Sequence, residues 1–479
     1  MKTCCAGIGI LTIWLAGANL SAQENKAPVA AAAISERALA RNLLQKLIAI
    51  NTTSANGSTK AAEAMAAHLR TAGFADSAVL LLGPRPDRQN LVVRLHGRTR
   101  SKPILFIAHL DVVDAPREGW SQGLDPFQLT ERDGFFYGRG VIDNKNALAC
   151  LVANLIRLRA EGFVPDRDIL VALTADEEAG NANGVYWLLT EHRDLMDVAC
   201  CVNLDTGGGQ LVDGKRVRLT VQTSEKANVS FRAETTSPGG HSSLPVKDNA
   251  IYRLATGLAR LSQYEFPFRF NETTRAYFER AAREEKGAVA RDMKAIANDP
   301  PDLEAAKRLA ARSVFNNAIL HTTAVATRLE AGHADNALPQ SARAIINCRV
   351  FPGDTLEFVQ SALREALADP EIRLTPLSSL RPTPVSPLLP EVMKPIEKVS
   401  EELWPGVPVV PVMDPWASDS VSLRRAGIAT FGTSGTFADD SCNPHGANER
   451  LSTVAFDESV EFLYRLLKAL TGRIPDGNQ

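Results

Sequence analysis

Five short segments of this 479-residue chain place carboxylates or histidine at the ends of apolar runs. The first is Ile107-Ala108-His109-Leu110-Asp111-Val112-Val113. Side chains alternate along a strand, so His109 and Asp111 share one face. A ring nitrogen of His109 can bind a metal, and Asp111 can then fix the imidazole from behind. The second is Tyr137-Gly138-Arg139-Gly140-Val141-Ile142-Asp143-Asn144-Lys145. Its glycines permit a tight turn that presents Asp143 just before a helix. Taken alone, Asp143 reads better as a helix N-cap. The third, Leu173-Thr174-Ala175-Asp176-Glu177-Glu178-Ala179-Gly180, crowds three carboxylates at a strand end. They repel one another without a cation, although a solvated acidic loop is the plainer alternative. The fourth, Val202-Asn203-Leu204-Asp205-Thr206-Gly207-Gly208, again ends a buried-looking strand in a carboxylate. The fifth, Ser441-Cys442-Asn443-Pro444-His445-Gly446-Ala447-Asn448-Glu449, holds His445 in a loop stiffened by proline and glycine. Together they offer two histidines and a set of carboxylates, the donor mix that suits zinc. Paired metals about 3.5–4 Å apart need one bridging carboxylate.

Groups so far apart in sequence must be gathered by a fold. Asn90 to Leu95, Ile104 to Ala108, Ile169 to Thr174 and Cys200 to Leu204 are short apolar runs bounded by turn residues, and read as buried strands. Helical patterns lie between them at Asn146 to Ala160 and Gly184 to His192, and another covers Ser35 to Leu82. Strands alternating with helices predict an α/β layer with a mostly parallel sheet. Ligands bind such sheets at the carboxyl ends of the strands. Near Glu225 the pattern changes. Asn228 to Thr235, Asp248 to Ser262, Thr322 to Glu330, Ser341 to Val350, Thr355 to Ala368 and Glu371 to Thr375 read as strand, helix, two strands, helix and strand. That is the ferredoxin-like order. Asn271 to Val314 is charged, alanine-rich and helical, and reads as an insertion. After the linker Thr383-Pro384-Val385-Ser386-Pro387 the α/β pattern resumes, ending in a helix from Thr453 to Leu470. The expected domains are therefore 35–225 and 386–479 for one α/β unit, interrupted by 226–385 with the helical insertion near 271–314.

Composition excludes some functions. The formal net charge is −2, so no basic excess points to nucleic acid. Lys2, the apolar run from Ala6 to Leu20 and the small pair Ser21-Ala22 read as an export signal over residues 1–22. Cleavage after Ala22 predicts a secreted or periplasmic protein with no stable membrane association; an uncleaved anchor is the alternative. Five scattered cysteines remain after residue 22, which is no disulfide framework.

The motifs His109-x-Asp111, Gly138-Arg139-Gly140-x-x-Asp143-x-Lys145, Glu177-Glu178, Asp205 and Pro444-His445-Gly446-x-Asn448-Glu449 resemble, in order and approximate spacing, the M20 metallopeptidase family. That family includes glutamate carboxypeptidase, carboxypeptidase S, aminoacylase, succinyl-diaminopimelate desuccinylase and bacterial dipeptidases. The resemblance implies a di-zinc exopeptidase-type catalytic domain and a lid or dimerisation domain inserted in it. It implies two divalent metal ions, zinc first and cobalt or manganese as alternatives. Asp143 would bridge them, His109 and Asp205 would complete one site, and Glu178 and His445 the other. Glu177 would be the general base, and Asp111 would orient His109. In the inserted domain, Ser237-Pro238-Gly239-Gly240-His241-Ser242-Ser243 resembles the family's lid, whose histidine often reaches the partner subunit's site, so a homodimer is expected. Asn336 and Arg349 match positions that hold a substrate carboxylate or carbonyl, and Ala417-Ser418-Asp419 resembles a loop near the substrate. The implied reaction is hydrolysis of an amide beside a free carboxylate, of carboxypeptidase or dipeptidase type. The alternative is aminoacylase-type deacylation of N-acyl amino acids. The expected partner is accordingly a small peptide or an N-acyl amino acid.

Overall fold

The structure, a computed structural model, describes residues 27–381 and 383–472. The export signal expected over residues 1–22 lies outside them. Among the described residues, no helix is long and apolar enough to cross a membrane.

The apolar runs form the centre of a ten-stranded sheet. Ile169–Thr174, Ile104–His109, Cys200–Asn203 and Thr430–Gly432 lie side by side and parallel. Every residue in these four strands is buried, as strands covered on both faces must be. Alternation divides their side chains between two cores. Ile104, Phe106 and Ala108 pack with helices Ala27–Ala49, Lys145–Ala160 and Thr453–Thr471. Leu105 and Ile107 face the opposite side, toward Gly184–Glu191 and Ser420–Arg425.

The helical reading over Ser35 to Leu82 does not hold throughout. The helices are Ala27–Ala49 and Thr59–Thr71, and Val79–Arg85 is a strand paired antiparallel with Arg88–Leu95. Val79-Leu80-Leu81-Leu82 is an unbroken apolar run, and such a run carries no period that separates helix from strand. The strand Lys215–Glu225, which the sequence reading passed over, continues the sheet on the other side and receives Val409–Asp414 in parallel.

Residues 227–376 contribute a second, four-stranded antiparallel sheet, ordered Thr323–Ala331, Ser341–Val350, Ala227–Thr236 and Arg373–Pro376. Helices Ala250–Leu261 and Leu356–Leu367 cover it and close a separate core around Phe231, Leu254, Ile346 and Leu363. The helical insertion does not join that core. Its helices, Glu272–Ala281, Gly287–Ala297, Leu303–Arg312 and Val314–Leu320, pack Phe278, Ile296 and Leu309 against Val410, Val412 and Met413 of the large sheet. The insertion therefore belongs physically to the sheet that carries the candidate site. Lys226, fully buried where the two sheets meet, fastens its end: Nζ donates to the Ala318 and His321 carbonyls at 2.8 and 2.9 Å and to Thr323 Oγ1 at 3.1 Å.

Removing that ammonium takes a donor from three acceptors, one buried and two partly buried. Lys226→Met should lower unfolding free energy by about 1–3 kcal/mol, read as a drop in the urea midpoint. An unchanged midpoint would show that Lys226 does not fasten the insertion.

Candidate metal centre

Three of the five candidate ligands come from the carboxyl ends of parallel strands, and two from loops that fold over them. His109 ends its strand, Asp205 lies two residues past the strand Cys200–Asn203, and Glu178 follows Ile169–Thr174. Asp143 precedes the helix Lys145–Ala160, and His445 sits in the loop before the strand Arg450–Ser452. His109 Nε2 stands 2.9 Å from Asp143 Oδ1 and 3.2 Å from Asp205 Oδ1. His445 Nε2 stands 3.0 Å from Asp143 Oδ2 and 3.0 Å from Glu178 Oε1. The ligand atoms of each triad lie within 4.8 Å of one another. Asp143 thus gives one carboxylate oxygen to each triad. It is not the helix cap that its position alone suggested; Asn144 holds the cap position.

These residues fit a pair of cations. Donor atoms on a tetrahedral zinc, with bonds of about 2.0–2.1 Å, are about 3.3 Å apart. The 2.9–3.2 Å separations fall just inside that edge. The charges agree. Burial alone lowers the pKa of His109, but Asp205 and Asp143 outweigh it and hold the imidazole well above its ordinary value. The bonds to Asp143 and Glu178 push His445 up to about 10. Both rings face a demand for positive charge, which protons or metals can meet.

The supporting contacts revise one expectation. The His109 ring is held by the Asp111 main-chain carbonyl, 3.0 Å from Nδ1, while the nearer carboxylate oxygen stands off at 3.8 Å. The Asp111 carboxylate instead accepts the Glu177 and Glu178 amides, each at 3.0 Å. One residue therefore sets both the first histidine and the Glu177-Glu178 pair. Burial, then the Asp205 charge, raises the Glu177 carboxyl well above the usual carboxylate range; cations beside it would act in the opposite sense. The same loop is braced by Arg88, paired with Asp176 at 3.0 Å in a buried contact. Asp419 accepts from Asn183 Nδ2 at 2.6 Å and Thr174 Oγ1 at 3.1 Å, and burial pushes it up to about 6.

The sequence reading gave no role to the pair that joins the two triads. Arg139 and Glu449 are 2% and 0% exposed and meet at 2.7 Å. Glu449 also accepts the amides of Gly140, Ile142 and Asp143 at 2.9, 2.9 and 3.2 Å, which fixes the turn that carries Asp143. Arg139 donates to the His445 and Gly446 carbonyls, both at 3.0 Å. The His445 loop needs this support, because Asn443, His445 and Asn448 sit at φ of 53°, 63° and 60°. Left-handed backbone at non-glycine residues costs of order 1–3 kcal/mol each. Gly140, at φ 91°, lets Lys145 pass close; a Cβ there would lie 2.9 Å from Lys145 Cδ. The signal for this pair was present in sequence, since both residues lie inside the quoted motifs.

The inserted domain brings two of its three candidates together. His241 pairs in register with Ala337, and the Ser242 amide donates to the Asn336 carbonyl at 3.0 Å. His241 is exposed, its Nδ1 2.7 Å from Ser243 Oγ. Arg349 is partly buried and lies directly across the sheet from Asn228. Among the described residues, no hydrogen bond or ion pair links His241, Asn336 or Arg349 to the two triads. Asn228, Glu177, Ser418 and Asp419 line a cavity of about 300 Å³. The five cysteines are free, and burial of Cys442 beside the His445 loop pushes its thiol up to about 11.

Two His-carboxylate triads sharing one carboxylate at the edge of a parallel sheet, with a glutamate beside them, define a metal-dependent hydrolase. The chain belongs to peptidase family M20/M25/M40, whose model matches residues 105–469. It is 30% identical over 380 residues to the N-fatty-acyl-amino acid synthase/hydrolase PM20D1 of Homo sapiens, covering 77% of this chain and 74% of that protein. The M20 family metallo-carboxypeptidase Sso-CP2 from Sulfolobus solfataricus has the same fold, with a TM-score of 0.67 at 16% identity over 90% of this chain and 99% of that one. So does the Bacillus subtilis YXEP protein, a dinuclear metal-binding peptidase of the M20 family, with a TM-score of 0.57 at 12% identity over 91% and 98%.

Truncating the clamp strands a buried charge. Arg139→Met should destabilise the protein by about 3–5 kcal/mol, as when one partner of a buried ion pair is lost. Urea unfolding checks this, and a loss below about 1 kcal/mol would show that the pair does not clamp the two triads.

Proposed function

We propose that this protein is a two-metal amidohydrolase that cleaves an amide bond next to a free carboxylate. The observation that carries the proposal is the division of the Asp143 oxygens between the His109–Asp205 and His445–Glu178 triads. Asp143 is the shared ligand, His109 and Asp205 serve one metal, and Glu178 and His445 the other. Zinc suits these donors, and cobalt or manganese also fit. Divalent cations held there supply Lewis-acid chemistry, making water a nucleophile near neutral pH and drawing charge from the attacked carbonyl.

The remaining steps fall to side chains. Glu177 takes a proton from the attacking water as its oxygen bonds to the carbonyl carbon. It returns that proton to the amide nitrogen as the C–N bond breaks, releasing a carboxylic acid and an amine. Asp111 holds Glu177 in place through the main chain. Arg349 offers its guanidinium to the substrate carboxylate, a match of fork to fork. In an antiparallel pair, directly opposite side chains share a face. Arg349 therefore stands on the face of Asn228, which lines the Glu177 cavity.

The carboxypeptidase or dipeptidase reading is supported by the fold of the Sulfolobus solfataricus metallo-carboxypeptidase. Deacylation of N-acyl amino acids is supported by the similarity to N-fatty-acyl-amino acid synthase/hydrolase. Both use the same centre and the same carboxylate anchor. His241 and Asn336 serve the carbonyl side, with His241 acting from the partner subunit of a homodimer. The protein acts outside the cytoplasm, exported through residues 1–22.

Two tests separate these roles. Glu177→Gln should lower turnover roughly 10²–10⁴-fold while both metals stay bound, as measured by elemental analysis; near-normal turnover would remove Glu177 as the base. Mixing inactive Glu177→Gln and His241→Ala proteins under subunit exchange should restore activity by re-forming one intact site. No recovery despite demonstrated exchange would contradict a histidine acting across the dimer.

A further inference from the structure

A buried arginine behind the candidate site holds both ends of the inserted stretch. Arg424, on the short helix Ser420–Arg425, is 2% exposed. Its Nη1 donates at 2.7 Å to Oε1 of Glu225, the last residue of the strand Lys215–Glu225 and itself fully buried. Its Nε donates at 3.1 Å to Oγ of Ser386, where the chain returns from the four-stranded sheet. Nη2 donates to Gln222 Oε1 at 2.8 Å and to the Thr430 carbonyl at 2.9 Å. The Ser386 amide in turn donates to the Thr223 carbonyl at 2.9 Å. One guanidinium thus touches the residue at which the chain leaves the large sheet and the residue at which it comes back.

From this clamp a line of hydrogen bonds runs to the Glu177 cavity. Glu225 Oε2 accepts the Ser418 amide at 2.9 Å and the Ser418 hydroxyl at 3.0 Å. Ser418 is followed by Asp419, whose carboxylate is held by Asn183 and Thr174. Ser418, Asp419 and Asn183 line the same cavity as Glu177. Among the described residues, Arg424 makes no hydrogen bond or ion pair with either triad. Its only path to the site is through Glu225 and the Ser418 loop.

Stability alone does not call for a charged pair here. A well-packed apolar pair of similar volume would hold the helix to the sheet as firmly or more so. What an apolar pair lacks is direction. A guanidinium fixes distance and angle to several partners at once, and a carboxylate passes that geometry on to the groups that donate to it.

We infer that Arg424 is a positioning residue for the hydrolysis: through Glu225 and Ser418 it sets the wall of the Glu177 cavity against the two points where the inserted residues leave and rejoin the large sheet. The inference rests on the amide-hydrolase reading above and adds a residue that touches neither substrate nor metal.

The test is a double-substitution cycle on zinc-loaded full-length protein, with kcat and KM measured for N-acetyl-leucine and alanyl-leucine. Arg424→Lys keeps the charge but cannot reach Glu225, Ser386 and Gln222 together. In protein that circular dichroism and urea unfolding show to be folded at the assay temperature, it should lower kcat/KM roughly 10–100-fold. The loss should fall on KM more than on kcat, because Glu177 and the two triads keep their own bonds. Ser418→Ala leaves the Arg424–Glu225 pair whole and should lower kcat/KM about 2–10-fold. With both changes, kcat/KM should stay within about twofold of that of Arg424→Lys alone, since the hydroxyl has lost the partner that gave it a fixed place. If the lysine variant does not fold, Glu225→Gln replaces it in the cycle; its amide nitrogen must meet either the guanidinium or the Ser418 amide, donor against donor. A purely structural arginine would lower the urea midpoint and leave the cycle additive. Losses that multiply in the double variant, a fall confined to kcat, or an Arg424→Lys protein within about twofold of wild type each overturn the inference and leave the hydrolase reading standing. Wild type that turns over neither compound overturns the hydrolase reading, and this inference with it.

Discussion

Carboxylate repulsion at one sheet edge is the constraint around which this molecule is built. Asp111, Asp143, Glu177, Glu178, Asp205, Asp419 and Glu449 all converge there. Desolvation and mutual repulsion both oppose leaving such groups ionised together. The fold answers three of them with hydrogen-bond donors. Asp111 takes two main-chain amides, Asp419 an amide and a hydroxyl, and Glu449 three amides and the Arg139 guanidinium. Asp143, Asp205 and Glu178 are left facing histidine nitrogens. That remainder is the part of the site that calls for cations.

The buried Arg139–Glu449 contact makes the two halves of the site a single object. The chain between them is about 300 residues long and includes the whole inserted sheet. Together with the antiparallel pairing of Arg450–Ser452 and Phe135–Tyr137, the contact ties the Asp143 turn to the left-handed His445 loop. Rigidity below them comes from the four parallel strands, buried on both faces and packed into two cores. The inserted residues serve two ends. The four-stranded sheet carries Arg349, a separate two-stranded ladder of Gly240–His241 and Ala337–Leu338 holds His241 with Asn336 just before it, and the four helices pack back on the edge strand Val409–Asp414.

Much of this was legible before any coordinates. The strands Ile104–His109 and Ile169–Thr174 are short apolar runs bounded by turn residues, so length and boundaries find them, while Ser341–Val350 alternates cleanly and is found by its period. The five acidic or histidine segments were legible because each ends such a run. Val79–Arg85 was misread because an all-apolar stretch has no polar face to reveal its period, and its strand identity comes from pairing with Arg88–Leu95. Asp111 does meet the His109 ring, but through its carbonyl, because sequence spacing cannot say whether a carboxylate or its own carbonyl reaches a ring nitrogen. Glu449 stood in a recognised motif, yet its function depends on amides more than 300 residues away. The insertion's attachment to the large sheet depends on long-range packing of Phe278 and Ile296 against Val412, which no local pattern encodes.

The most direct test of the two-metal account is amine release from a panel of N-acyl amino acids and free-carboxylate dipeptides, followed as metal is returned to stripped protein. The account predicts no release without metal, and release that rises to a plateau at two equivalents of zinc per chain. Release that survives stripping, or none from folded protein filled with zinc, manganese or cobalt, would contradict it.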